Sequence, residues 1–111
     1  MRTKTVDISR FTDEEVSYND PVVLKKPSGG DKADITDHLI QKGGARLNEK
    51  GEMENIPLGT MRIMYLQKCI KDSGFDRSIQ GIRDLPGDIF DYLFAEAERF
   101  NNPLGETKEV E

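Results

Sequence analysis

The stretch Pro86-Gly87-Asp88-Ile89-Phe90-Asp91-Tyr92-Leu93-Phe94-Ala95-Glu96-Ala97-Glu98-Arg99-Phe100 decides how this chain folds. Its apolar side chains fall at Ile89, Phe90, Leu93, Phe94, Ala97 and Phe100, the i, i+3, i+4, i+7 spacing that lays one apolar stripe along a helix. Pro86 suits a first helical turn, where a backbone N–H would have no intrahelical acceptor. Asp84 and Asp88 place negative charge near the positive end of the helix dipole, and Asn101-Asn102-Pro103 stops the helix. So amphipathic a helix needs a surface to bury its stripe against.

Working upstream, residues 57–72 predict a second helix, with Leu58, Met61, Tyr65 and Cys69 on one stripe and Ile63, Leu66 and Ile70 on the adjacent one. Asn55 is its expected N-cap and Ser73-Gly74 its left-handed exit. The connection 75–85 carries Ile79 and Ile82 and has room for one short helical turn. The two long helices are therefore expected to lie antiparallel, each about 23 Å long at about 1.5 Å per residue. A third helix is expected from Asp31 or Lys32 to Lys42, with Ala33, Ile35, Leu39 and Ile40 apolar and Gly43-Gly44 ending it. Pro21-Val22-Val23-Leu24-Lys25-Lys26-Pro27 and the segment from Thr5 to Ser9 read as strands that pair in a hairpin. Between them, Thr12 and Glu15 form a capping box, with Phe11 and Val16 as its hydrophobic staple. Residues 43–54 are polar and glycine-bearing and are expected to be mobile. The fold class is thus mainly α (α+β): an antiparallel helical core with a short N-terminal β-hairpin and a flexible C-terminal tail. One domain is expected over 1–111, with strands and turn in 1–30, helical core in 31–104 and a disordered acidic tail in 105–111.

Composition agrees with one small core. Leu, Ile, Val and Phe number 27 of 111 residues, enough to offset the ordering entropy of a folded centre, and 21 of the 39 hydrophobic residues lie between Ile56 and Phe100. One Cys and one His exclude a disulfide framework or a Cys-rich or His-pair metal motif within a single chain. The longest apolar runs are three or four residues, as in Ile63-Met64-Tyr65-Leu66, far short of the roughly 20 that span a bilayer. Residues 1–7 lack the apolar stretch of a secretory signal, and a lone thiol suits a reducing compartment, so the expectation is a soluble cytoplasmic protein, in the host cytoplasm if viral. Charge is uneven: residues 84–111 hold eight acids and two bases, for −6, against thirteen acids and fourteen bases, for +1, in residues 1–83. An acidic end repels phosphate backbones, so the expected partners are proteins, with neither nucleic acid nor membrane.

Candidate chemistry is sparse. Cys69 and His38 are the one nucleophile-and-base pair available, yet Cys69 falls mid-helix among apolar neighbours and His38 beside Asp37 on a solvated face. Pro27-Ser28-Gly29-Gly30-Asp31-Lys32 precedes a helix as phosphate loops do, but Asp31 puts a negative charge where a phosphate would sit, so a turn and helix cap is expected. The acids around Gly51 fail as a calcium loop because Arg46 and Lys50 would fall at ligand positions. Asp88 with Asp91, and Glu96 with Glu98, read as a solvated acidic face. No catalytic residue, cofactor or metal is expected.

The order of features carries a resemblance. Val23-Leu24-Lys25-Lys26-Pro27-Ser28-Gly29-Gly30-Asp31, a helix, a polar insert, an apolar helix and then Ile82-Arg83-Asp84-Leu85-Pro86-Gly87-Asp88-Ile89-Phe90-Asp91-Tyr92-Leu93 resembles the tail assembly chaperones of long-tailed bacteriophages and prophages over residues 20–104. The resemblance implies a mainly helical, non-enzymatic protein that coats the tape measure protein and gives way as tail tube subunits polymerise. The rival of another class is a small structural virion or tail-completion protein, and a small enzyme using Cys69 and His38 is a distant third. Met61, Met64, Tyr65, Phe94 and Phe100 exceed what one two-helix seam uses and are the candidate partner-binding residues. Three outlets for this surface stay open on the residues alone: a client, self-association into a homo-oligomer, or cover by the N-terminal hairpin and first helix.

Leu93 sits at the centre of the decisive stripe. Leu93→Asp is expected to abolish the cooperative thermal melt, because an uncompensated buried charge costs several kcal/mol against a total of roughly 5 to 15. A melt unchanged by circular dichroism would reject the face assignment.

Overall fold

Val22 and Leu24 alternate with Val23 and Lys25, and this two-residue period turns Val22 and Leu24 onto one face of strand β2 (Val22–Lys25), where both are fully buried. The computed structural model describes residues 2–13 and 17–101. In it β2 is the middle of a three-stranded antiparallel sheet, between β1 (Thr3–Val6) and β5 (Ile70–Asp72). Val6 pairs with Val22 and Lys4 with Leu24 on one side, and Leu24 pairs with Ile70 on the other. A single 3₁₀ turn, Ser9–Phe11, follows β1. The helices are α1 (Gly29–Gln41), α2 (Leu58–Cys69), α3 (Ile79–Arg83) and α4 (Gly87–Asn101), and a small hairpin joins β3 (Arg46–Leu47) to β4 (Met53–Glu54). The class is α+β, mainly helical, with a small antiparallel sheet built on the N-terminal strands.

The main core lies between the sheet and helices α2, α3 and α4. Val6, Val22, Leu24 and Ile70 from the sheet meet Leu66 and Cys69 of α2, Ile82 of α3, and Ile89, Leu93 and Ala97 of α4. These α4 residues are three of the six in the predicted stripe, with Leu93 fully buried, whereas Phe90, Phe94 and Phe100 are half-buried beside the core. A second cluster joins Ile35 and Leu39 of α1 to Met64 of α2 and to Ala45. Within it α1 and α2 run antiparallel: Asp34 lies 3.5 Å from Lys68, while a Cβ on Gly43 would come within 3.0 Å of Pro57.

Several expectations are corrected. The second helix does not reach Asp72; it ends at Cys69, and Ile70–Asp72 turns into strand β5. The edge of β2 away from β1 offers backbone groups that Ile70–Asp72 pairs with as a strand, with Ile70 buried, so the ladder wins over another helical turn. The helix therefore does not exit at Ser73-Gly74. Asn55 is not its N-cap; it adopts φ +57, and Pro57 stands at the cap without a side-chain hydrogen bond. Helix α1 begins earlier than expected, at Gly29, because Ser28 and Asp31 close a reciprocal capping box: the Ser28 hydroxyl accepts from Asp31 N–H at 3.0 Å and the Asp31 carboxylate accepts from Ser28 N–H at 2.9 Å. Within residues 43–54, expected to be mobile, 46–54 form the β3–β4 hairpin, whose turn is organised by Asn48 Oδ1 accepting from both Lys50 and Glu52 N–H groups.

The direction of α4 is also corrected. Pairing α4 antiparallel to α2 would need a simple reversal after α2. Instead Gln67 Nε2 donates to Arg77 O and Arg83 reaches Thr60, so the segment through α3 runs back along α2 to its N-terminal end. From there α4 follows the direction of α2: Tyr65 meets Phe94, and Cys69 meets Asn101. The antiparallel helix pair of this fold is α1 with α2. The capping box of Thr12 and Glu15 with Val16 falls partly on residues 14–16, and the acidic tail was expected over 105–111; residues 14–16 and 105–111 lie outside the described residues.

Lys4 is on the core-facing side of an edge strand, and its ammonium reaches Glu96 on α4 at 3.1 Å. Burial works against the Glu96 charge, yet the hydrogen bond and charge of Lys4, with Arg99 beside it, outweigh that and hold its carboxyl below the ordinary 4.5. A depressed carboxylate contributes stability above its unfolded pKa and loses it as pH falls through the folded value. Lys4→Met is expected to cost about 1 kcal/mol in urea titration at neutral pH, and the difference from wild type is expected to shrink in strong acid. A difference that persists there would assign the effect to packing.

Candidate protein-binding surface

The shared direction of α2 and α4 builds an aromatic seam on the side away from the sheet. Phe90 and Phe94, one helical turn apart on α4, stack with ring centroids 6.0 Å apart. Tyr65 of α2 meets Phe94 edge-on at 5.8 Å, and the Arg62 guanidinium lies 5.6 Å from the Phe94 ring centre. At the far end Asn101 Nδ2 donates to Tyr65 Oη and to Cys69 Sγ, each at 3.2 Å. Burial pushes the Tyr65 phenol up to about 12 and the Cys69 thiol up to about 11.

At its other end the seam opens into a groove of about 300 Å³ between the first turns of α2 and α4. Ile63, Ile82, Leu85 and Phe90 supply its apolar lining, and Arg62 and Arg83 its cations. The size is at the lower end of ligand pockets and suits one or two inserted side chains. Leu58, next in sequence to the groove residue Gly59, is 57% exposed. Both Arg62 and Arg83 are presented by helices whose other faces are in the core, so the cations are carried on a rigid base.

The candidate residues divide. Tyr65 and Phe94 touch, and both are half-buried on the seam. Met64 is 4% exposed and, with half-buried Met61, packs toward α1. Phe100 is half-buried, with the Arg2 guanidinium 5.0 Å from its ring centre. Sequence reading missed Arg62, Arg83, Leu85 and Phe90 as one lining, because only the return path through α3 brings them together. The one local signal was a glycine in the first turn of each long helix, Gly59 and Gly87.

Cys69 is fully buried and its polar neighbours are Tyr65 and Asn101, whereas His38 lies in the last turn of α1. The glycine stretch before α1 is occupied by its own capping box. Asp88, Asp91 and Glu98 are exposed, while Glu96 pairs with Lys4 and Arg99. Among the described residues no group of three or more His, Cys, Asp or Glu side chains is placed to hold a metal ion, and no helix is long and apolar enough to cross a membrane. Comparison of the chain with protein-family models, curated proteins and solved structures gives no match.

Cys69 gives a pH-dependent test. Its folded pKa lies above the ordinary 9.0, so its contribution to stability is complete below that value and is lost as pH rises toward about 11. Native protein is expected to react with a thiol reagent at neutral pH only as fast as it unfolds, and Cys69→Ala to flatten part of the stability loss in alkali. Rapid labelling of folded protein would overturn this placement.

Proposed function

We propose that this chain is a non-enzymatic, cytoplasmic protein-interaction protein, and specifically a tail assembly chaperone that holds the tape measure protein of a long-tailed phage or prophage until tail tube subunits replace it. The observation that carries the reading is the half-buried seam of Tyr65, Phe90 and Phe94 running into an open apolar groove. A helical client offers apolar side chains at one-turn intervals, and a seam laid along two helices presents contacts at the same interval. The acidic exposed residues of α4, Asp88, Asp91 and Glu98, keep the surface beside the seam charged, as a holder of an aggregation-prone client requires. A thiol held protonated at neutral pH by burial supports a packing role for Cys69 over a nucleophilic one.

Identifying the neighbouring reading frames, and co-expressing the chain with a long, coiled-coil-rich product found among them, tests the reading. Wild-type chain is expected to keep that protein in the supernatant and to co-purify with it, and Phe94→Asp, with its fold verified by circular dichroism, to lose at least about tenfold in affinity. Purified particles are expected to lack the chain by immunoblot. Stoichiometric presence in particles would make it a structural virion or tail-completion component, and absence of any complex with the adjacent product would reject the chaperone.

A further inference from the structure

Both cations of the groove lack an anion. Arg62 and Arg83 line it, and neither makes an ion pair among the described residues: Arg62 lies over the Phe94 ring, and Arg83 reaches Thr60 Oγ1 at 3.4 Å. Toward the other end of α4, by contrast, Lys4 and Arg99 are both taken by Glu96. The groove therefore calls for an apolar side chain of modest size that is accompanied by two acids.

The chain's own sequence supplies that pattern after α4. Glu109-Val110-Glu111 sets one branched apolar side chain between two carboxylates. Asn102-Pro103-Leu104-Gly105 precedes it with the chemistry of a reversal, since Pro103 cannot continue a helix and Gly105 tolerates φ > 0. The reach also matches. Eleven residues separate Phe90 from Asn101 along α4, about 16.5 Å at about 1.5 Å per residue. Five separate Gly105 from Val110, about 16.5 Å at about 3.3 Å per residue of extended chain. A segment that reverses at 103–105 and runs back along the seam brings Val110 level with Phe90.

We propose that residues 106–111 dock in the groove of their own chain, with Val110 among Ile63, Leu85 and Phe90 and with Glu109 and Glu111 on Arg62 and Arg83. The contact does not depend on the client reading, since both sides of it belong to this chain. One apolar side chain and two surface ion pairs make a weak contact. A short tether, however, sets an effective concentration of about 1 mM, so an intrinsic dissociation constant of that size already fills half the grooves. A separate molecule of the same chemistry would have to be supplied at that concentration. Any partner that enters the groove has to displace the segment, which makes the tail a built-in competitor.

Amide NMR spectra of the full chain test this. Replacing Glu109→Lys, Val110→Ser and Glu111→Lys together leaves α1 to α4 untouched in sequence, and is expected to shift the signals of Gly59, Arg62, Ile63, Leu85 and Gly87 while those of Asp34 to Leu39 on α1 stay in place. Wild-type signals are expected to be the same from micromolar to millimolar protein, as a contact within one chain requires, and to move toward the substituted positions in strong salt. Arg62→Glu with Arg83→Glu, in a chain whose melt is retained, is expected to move the Val110 and Glu111 signals to their positions in the isolated peptide 102–111. Adding Glu109→Arg and Glu111→Arg to that chain is expected to restore the contact. Groove signals indifferent to the tail substitutions, shifts confined to Phe100 and Arg2, a contact that appears only as concentration rises, or a charge exchange that fails to restore it would each overturn the proposal.

Discussion

Strand β2 is the constraint on which the remaining structure depends. Its backbone is hydrogen-bonded to a neighbour along both edges, and its Val22 and Leu24 side chains are fully buried beneath α2 and α4. A strand so placed fixes register on both sides, because a one-residue slip would turn Val22 and Leu24 to solvent and bring Val23 and Lys25 inward. It also captures Ile70–Asp72, and that capture ends α2 at Cys69.

Ending α2 there governs the surface. Once the chain leaves the helix for the sheet edge, it must travel back along α2 before α4 can begin, and α3 is the turn of helix that makes this return. Ser78 caps α3, and Gly81 admits the backbone of Asp76 where a side chain would collide. The return path brings Arg83 and Leu85 beside Arg62 and Ile63, and it starts α4 next to the start of α2. Had α4 run antiparallel, Phe90 would have faced the C-terminal half of α2 and the groove would not exist. The groove is therefore a consequence of topology as much as of apolar content.

Rings, aliphatic side chains and two arginines meet on that surface, and nearby Asn101 Nδ2 donates to Tyr65 Oη and Cys69 Sγ while the buried Asn101 Oδ1 has no hydrogen-bond partner among the described residues. Burial raises the pKa of both the phenol and the thiol, which keeps them neutral and makes them hydrogen-bonded packing elements of the helix pair.

By itself the sequence determined the stripe of Ile89, Leu93 and Ala97, the alternation of Val22 and Leu24, the pairing of the two N-terminal strands and the mainly helical class. These signals are local or nearly so: a period of 3.6 or 2 is written in neighbouring side chains, and burial reads it without further information. Ser28 and Asp31 read in the sequence as a turn and cap rather than a phosphate site, and the reciprocal hydrogen bonds between them start α1 at Gly29. Tertiary structure alone decided the fate of Ile70–Asp72, the direction of α4, the hairpin at 46–54 and the company of Arg62 and Arg83. The apolar side chain of Ile70 fits the period of a helix or of a strand, so its own neighbourhood is silent on the choice. The choice is made by an edge of β2 some forty-five positions earlier, whose unpaired N–H and C=O groups gain hydrogen bonds from a strand and none from another turn of helix.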